Sequence, residues 1–315
     1  VKPDVHAAVS AAIEQIGYVP NRAARALVTR RTDAVAVVIS AAGGDTDEDQ
    51  AVREIFGDPF FGRIATAAVR TLRAHNVHPL LMMADSQRAR LQTLDFLTNG
   101  GVDGVLLVST HKDDPMPVMI ANSGVPAVAF ARPATPVALS YVDVSGSDGG
   151  AIAAERLLER GCTQLGVIGA SGDLAMPSIF DRITGFQDRA AREGIAFVPR
   201  VDGDLMRESG AVAARKLFDQ HPGVDGLFVV NDTMASGVLD VCRERGMRVP
   251  QDVAVVGFDD SSIAVQCSPA LTTISQPMEE MARAMGDLLM RRIGDPQLPP
   301  ASVVLAPSLV ARDSA

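Results

Sequence analysis

What the chain lacks narrows it first. It has three cysteines, Cys162, Cys242 and Cys267, at unrelated spacings. That odd number supports neither a disulfide framework nor a zinc pattern and reads as reduced thiols in a cytosol. No apolar run reaches the roughly 20 residues of a membrane helix, and the first residues lack the apolar core of a signal peptide. A soluble, cytoplasmic protein is expected. There is no Gly-x-Ser-x-Gly elbow, no P-loop and no complete Gly-x-Gly-x-x-Gly. The five histidines (His6, His75, His78, His111, His221) are scattered, and none pairs with a cysteine or carboxylate at metal-ligand spacing. The acidic run Asp45-Thr-Asp-Glu-Asp49 has Gln50 where a calcium loop needs glycine and Phe56 where it needs glutamate, so it reads as a solvated loop. Neither an enzyme nor a cofactor nor a metal is expected.

What is present is a chain of 315 residues, 47% hydrophobic, long enough for one or two cores. The net charge is −9, yet the first thirty-two residues are basic. An acidic body argues against general nucleic-acid affinity, so any DNA contact belongs to the N-terminus. After Thr32, apolar runs of strand length at 34–39, 79–83, 104–108, 126–130, 165–168, 227–230 and 253–257 alternate with helical patterns. The helices are expected at 61–75, 87–97, 149–160, 180–193, 209–219 and 233–245. Continuous Val, Ile and Leu runs between helices predict buried parallel strands in doubly wound α/β sheets. An internal echo, Gly101-Val-Asp-Gly-Val-Leu-Leu-Val-Ser109 against Gly223-Val-Asp-Gly-Leu-Phe-Val-Val-Asn231, predicts two lobes of similar topology.

Ligands of open parallel sheets bind beyond the carboxyl ends of the strands. Those ends carry Ser40, Asp85, Ser109, Asn231 with Asp232, and Asp259 with Asp260, a set of hydroxyl, amide and carboxylate groups suited to a small polar molecule. Asp232 and Asp260 read as helix caps or turn formers, Asn231 and Asp259 as ligand contacts. Phe60 and Phe61 open a helix and read either as core or, because adjacent rings on a helix cannot both face inward, as a pair of which one projects into the cleft to stack on a ligand ring. Arg182, before Gly185-Phe186, either forks onto a ligand or makes a surface salt bridge. Gly146-Ser-Asp-Gly-Gly150 reads as a helix start at Gly149 with Asp148 as cap.

The N-terminus is of another kind. Val5, Ala8, Val9, Ala12, Ile13 and Ile16 recur at helical spacing and Gly17 ends the run. Pro20 then precedes Asn21, a good N-cap, and about two turns of helix follow. So short a helix is marginal alone. Ala23, Ala24 and Leu27 form a small apolar face among Arg22, Arg25, Arg30 and Arg31. Two readings fit: a helix that lies in a DNA minor groove and wedges Leu27 into a base step, or a linker helix with a solvated basic face.

Taken in order, Gly17-Tyr-Val-Pro-Asn-Arg-Ala-Ala-Arg-Ala-Leu27, Asp58-Pro-Phe-Phe61, Gly101-Val-Asp-Gly104, Arg182 with Gly185-Phe186, Asn231-Asp232 with Gly237, Val249-Pro-Gln-Asp-Val-Ala-Val-Val-Gly-Phe-Asp-Asp260, Pro269-Ala-Leu-Thr-Thr-Ile274 and Leu309-Val-Ala-Arg312 resemble the LacI/GalR family of bacterial transcription regulators. The resemblance spans the whole chain. It implies a periplasmic-binding-protein-like core with crossings between lobes near Ala131, Ile274 and Ala306, which divides the chain into 1–32 (head remnant and hinge helix), 33–131 with 275–306 (first lobe), and 132–274 with 307–315 (second lobe). It also implies a homodimer, a sugar-like or nucleoside-like effector in the cleft held by Phe60, Phe61, Ser109, Arg182, Asn231 and Asp259, and a hinge helix that meets operator DNA through Asn21, Arg22, Ala24, Arg25 and Leu27. The function it implies is a ligand-responsive repressor; a transport-type solute-binding protein shares the fold and is the alternative. The chain departs from the family in starting at the third helix of the head, in Ala131-Arg-Pro133 for the usual Asp-Arg-Pro, in Ser145-Gly146 for the usual Asp-Asn, and in an acidic insertion at 43–56.

Overall fold

The computed structural model describes residues 31–40, 59–170, 172–174 and 176–315, with Gln15 the one described position before them. The expectations for the hinge residues Asn21, Arg22, Ala24, Arg25 and Leu27 and for the acidic insertion lie outside the described residues. The first lobe is built from β1 (Ala34–Ser40), α1 (Pro59–Ala74), β2 (His78–Ala84), α2 (Gln87–Thr98), β3 (Gly104–Ser109), α3 (Met116–Ser123), β4 (Ala127–Phe130), β5 (Ser140–Val144), α9 (Met278–Gly294) and β11 (Ser302–Leu305). Its sheet has the order β11-β5-β4-β3-β1-β2. The second lobe contains α4 (Gly146–Glu159), β6 (Leu165–Ala170), α5 (Pro177–Arg192), β7 (Arg200–Gly203), α6 (Arg207–Gln220), β8 (Gly226–Val229), α7 (Asp232–Glu244), β9 (Ala254–Asp259), α8 (Ser262–Gln266), β10 (Thr272–Ser275) and β12 (Ser308–Val310). Its sheet runs β12-β10-β9-β8-β6-β7, parallel except where β12 meets β10.

Helices cover both faces of each sheet, so the central strands are apolar throughout rather than alternating. In the first lobe, Val37, Leu106 and Val128 pack under Ile64 and Leu72 of α1 and Met281, Met285 and Leu289 of α9. On the opposite face Val105 and Leu107 meet Leu97, Met116 and Ile120. The second lobe has one contiguous core around Phe186, Phe228 and Phe258. The rings of Phe186 and Phe228 stack at 5.0 Å.

The echo seen in the sequence is physical. β3 and β8 hold the same place in their sheets, and the aspartate before each performs the same task. Asp103 accepts from Thr32 N, Thr32 Oγ1 and Asp33 N at the start of β1. Asp225 accepts from Thr163 N, Thr163 Oγ1 and Gln164 N at the start of β6. Each carboxylate thus fixes where the neighbouring strand begins, supplying partners to backbone groups that the ladder has not yet reached.

The first crossing differs from the expectation. β5 pairs with β4 and β11 in the first sheet, so the chain leaves that sheet after Val144 and not near Ala131. The polar Ser140 and Asp143 interrupt the apolar run that marks the other strands. Helix α4 also starts earlier than expected, at Gly146, with Ser145 and not Asp148 as its N-cap. Its glycines serve close packing on α5. A Cβ on Gly150 would stand 1.9 Å from the Arg182 carbonyl oxygen, and one on Gly185 would stand 2.0 Å from that of Ser147.

The far end of the second sheet is tied together by Asp232, which is fully buried. Its Oδ1 accepts from Thr273 Oγ1 at 2.6 Å and its Oδ2 from Ser261 N at 2.7 Å, joining α7 to β10 and to the turn after β9. Burial pushes this carboxyl up to about 7, with a further rise from the Asp260 charge, against the lowering by those donors.

Three outcomes are expected. Gly150→Ala should cost about 1–3 kcal/mol in a urea melt, since backbone must shift to admit the methyl. Gly62→Ala in α1, with open space around its Cβ, should instead stabilise by up to about 1 kcal/mol; equal effects would contradict the packing account. Because the folded pKa of Asp232 lies above the unfolded one, its contribution is complete below 3.8 and is lost as pH rises through about 7. Melting temperatures of Asp232→Asn should therefore fall less steeply with rising pH over that window than those of the wild type, and parallel curves would place the dependence elsewhere.

Candidate functional site at the strand ends

Arg182 lies on the inward side of α5, in the row of Ile179, Ile183 and Phe186, and only 7% of it is exposed. A guanidinium is costly to bury unless charge and hydrogen bonds compensate. Here Nη1 donates to the Val230 carbonyl at 2.7 Å and lies 3.5 Å from Asp259 Oδ1, and Cζ sits 3.7 Å from the centre of the Phe258 ring. Burial pushes its pKa down, and the charges of Asp259, Asp143 and Asp232 push it back up; an arginine keeps its proton under such conditions. Its Nε is buried without a hydrogen-bond partner. The same is true of the Nε atoms of Arg156 and Arg292, so the cluster of charges around Arg182, and not this atom alone, sets it apart.

Asp259 ends β9, and its Oδ1 accepts from Gln276 Nε2 at 2.6 Å. The backbone there is unusual: φ is 108° at Asp259 and 51° at Asp260. Neither is glycine, and conformations of this kind cost of order 1–3 kcal/mol each unless the surroundings hold them. The holding groups are visible. Arg63 of α1 donates through Nη1 to both the Asp259 and the Asp260 carbonyls, each at 3.1 Å, and Arg312 Nη2 donates to Asp260 Oδ1 at 2.6 Å.

From the first lobe the end of β5 contributes Asp143, which accepts from Arg132 N and Val144 N. Burial pushes its carboxyl up, opposed by those two N–H groups and by the charges of Arg182 and Arg132. Arg132 also reaches across to the second lobe, where its Nη2 donates to Asp181 Oδ2 at 2.6 Å. The carboxyl ends of β5 and β9 thus come together where the lobes meet, with Asp143 on one side and Arg182 and Asp259 on the other. Such a set can grip hydroxyl and other polar groups through charge-assisted hydrogen bonds.

The other residues singled out from the sequence behave differently. Asn231 is the N-cap of α7, accepting from Met234 N, and its Nδ2 donates to the Leu205 carbonyl. The capping role expected of Asp232 falls to its neighbour, and Asp232 goes into the interior instead. Ser109 Oγ donates to Asp114 Oδ2 at 2.6 Å, and Ser40 Oγ to Oδ1 of the same buried carboxylate at 2.9 Å. Phe60 and Phe61 meet edge to face at 5.3 Å, and Phe60 meets Phe130 at 5.7 Å, so both half-buried rings lean on the first-lobe core. Arg63, Asp143 and Gln276 were not singled out. Arg63 sits on the same helix as the phenylalanine pair, and Asp143 breaks an otherwise apolar strand, the one local signal that was available. Among the described residues no helix is long and apolar enough to cross a membrane.

Comparison with known proteins agrees with this fold. Residues 154–315 match the family described as "Periplasmic binding protein-like domain". Along its full length the chain is 38% identical to the HTH-type transcriptional regulator CelR of Thermobifida fusca, of which it covers 90%. It is 28% identical to the ribose operon repressor of Escherichia coli (strain K12), of which it covers 92%. Among solved structures it superposes on a transcriptional regulator CelR–cellobiose complex with a TM-score of 0.81 at 36% identity, covering 100% of this chain and 92% of that one. A likeness of fold alone extends to the lac repressor dimer bound to operator and the anti-inducer ONPF, with a TM-score of 0.79, 22% identity, and 95% and 99% of the two chains covered. Two parallel α/β lobes, charged groups gathered at their strand ends and a relative 38% identical among transcriptional regulators lead to one assignment: the chain belongs to the LacI/GalR family of ligand-responsive transcriptional regulators.

Proposed function

We propose that the chain is a cytoplasmic repressor, acting as a homodimer, whose effector is a sugar of disaccharide size bound between the lobes. The observation that carries this reading is Arg182, a buried guanidinium 3.5 Å from the Asp259 carboxylate and under the charge of Asp143 from the other lobe. Sugar hydroxyls both donate and accept, and a carboxylate beside a guanidinium offers the complementary pair. Cellobiose is the first candidate because the CelR relative, 36% identical over the whole of this chain, was solved with it. Asp143 takes the place of a first-lobe acceptor, and Phe60 and Phe61 supply apolar ring surface. Ser109 and Asn231 have protein partners already, which gives them a supporting place behind these groups. The lobes, 33–144 with 276–306 and 145–275 with 307–315 when the boundary is moved past β5, rotate about the crossings as the ligand is gripped.

Effector binding shifts the equilibrium between two lobe angles, with coupling of about 1–3 kcal/mol between ligand and DNA sites. In the dimer the lobe angle sets the spacing of two hinge helices, each presenting Asn21, Arg22, Ala24, Arg25 and the Leu27 wedge to the operator minor groove. Metal or redox chemistry has no part in this reading, and no side chain is assigned a catalytic role.

Two measurements test it. Asp259→Asn keeps the shape of the side chain but removes its charge, and cellobiose affinity by calorimetry should fall by about 30- to 100-fold; unchanged affinity would refute the assignment of the cleft. In the chain joined to a complete helix-turn-helix head, Leu27→Gly should weaken operator binding by about tenfold or more in a shift assay. A variant that binds as the wild type does would rule out the wedge.

A further inference from the structure

Arg63 is the side chain through which the first lobe holds the backbone of the ligand-bearing turn of the second. Its Nη1 reaches two carbonyl oxygens at once, those of Asp259 and Asp260, and its Nη2 lies 3.5 Å from Glu279 of α9. We infer that Arg63 is a closure latch: a positioning residue that clips α1 onto the 259–260 turn and couples the approach of the lobes to the setting of Asp259.

Three observations carry this. The fork of Arg63 is occupied by protein oxygens, so it holds the turn instead of serving as a ligand donor. The two carbonyls can converge on one nitrogen because Asp259 and Asp260 both have positive φ, which turns the chain sharply after β9. Removing the latch therefore frees a strained turn as well as breaking a contact. Lastly, the contacts close a ring around a crossing. Gln276, just past β10, donates to Asp259 Oδ1, and Glu279, one helical turn further on, faces Arg63. Rotation of the lobes about residues 275–278 cannot leave the distance from Arg63 to the turn unchanged. A different bridge between lobes, Arg132 with Asp181, joins two half-exposed side chains, which follow a moving lobe or re-solvate at little cost. Arg63 grips backbone, whose place is fixed by β9.

The inference rests on the reading of the cleft as an effector site, and the experiment separates the two. Small-angle scattering of the ligand-free, full chain should give a larger radius of gyration for Arg63→Met than for the wild type, with Arg63→Lys in between because an ammonium still donates to one or both carbonyls. Calorimetry with cellobiose should show an affinity lower by about tenfold in Arg63→Met, recovered in part by lysine. The scattering arm decides the latch even where the wild type ignores cellobiose, in which case the reading of the effector fails and that of the latch stands on its own result. A lowered melting temperature in Arg63→Met with an unchanged radius of gyration would make Arg63 a merely structural residue and overturn the inference.

Discussion

Arg182 holds its charge where water scarcely reaches, and the surrounding residues can be understood as what that charge requires. A buried cation left without compensation destabilises a protein by several kcal/mol, so the Val230 carbonyl, the Phe258 ring and the Asp259 carboxylate gather around it. Phe258 is also part of the second-lobe core, so one ring serves the interior on one face and the cation on the other. The glycines of α4 and α5 let the two helices approach until a Cβ on Gly150 would strike the Arg182 backbone. The backbone that carries the guanidinium is therefore held as firmly as the strand it faces. A site of this kind is preorganised, and its ligand meets groups already aimed and largely dehydrated.

The same dipeptide is addressed from three directions. Arg182 faces the Asp259 carboxylate, Arg63 takes the Asp259 and Asp260 carbonyls, and Arg312 takes the Asp260 carboxylate. Two of these arginines belong to the second lobe and one to the first. The turn after β9 is thus where contacts from both lobes meet, and its positive φ angles are strain that these contacts hold in place. Asp232 supports it from below through Ser261 N.

Much of this was legible in the residues. β1, β3, β8 and β9 announce themselves as unbroken runs of Val, Ile, Leu and Phe because both faces of a parallel sheet are covered. The repeated Val-Asp-Gly signalled two like lobes, and its aspartates turn out to clamp equivalent strand starts. Arg182 and Asp259 were singled out and do stand together. What escaped did so for physical reasons. β5, β10, β11 and β12 are short, and Ser140, Asp143, Thr272 and Thr273 dilute their apolar character, so the crossing at Val144 was placed too early. Helix α9 was missed although it supplies much of the first-lobe core, since its stripe is made of methionines with Ala282 and Gly286 and not of a plain leucine repeat. Asn231 took the capping role expected of Asp232 because either residue type caps a helix, and only tertiary contacts with Thr273 and Ser261 decide which one turns inward. Arg63 has no local signal at all: its partners lie almost two hundred residues away.

The account depends on Arg182 acting through the geometry of its fork, and not through charge alone. Lysine in its place keeps the charge and loses that geometry, so calorimetric titration of Arg182→Lys with cellobiose is the most direct test, read alongside a melt that verifies folding. A folded variant whose affinity is lower by about a hundredfold is the predicted result. A folded variant that binds as tightly as the wild type would contradict it.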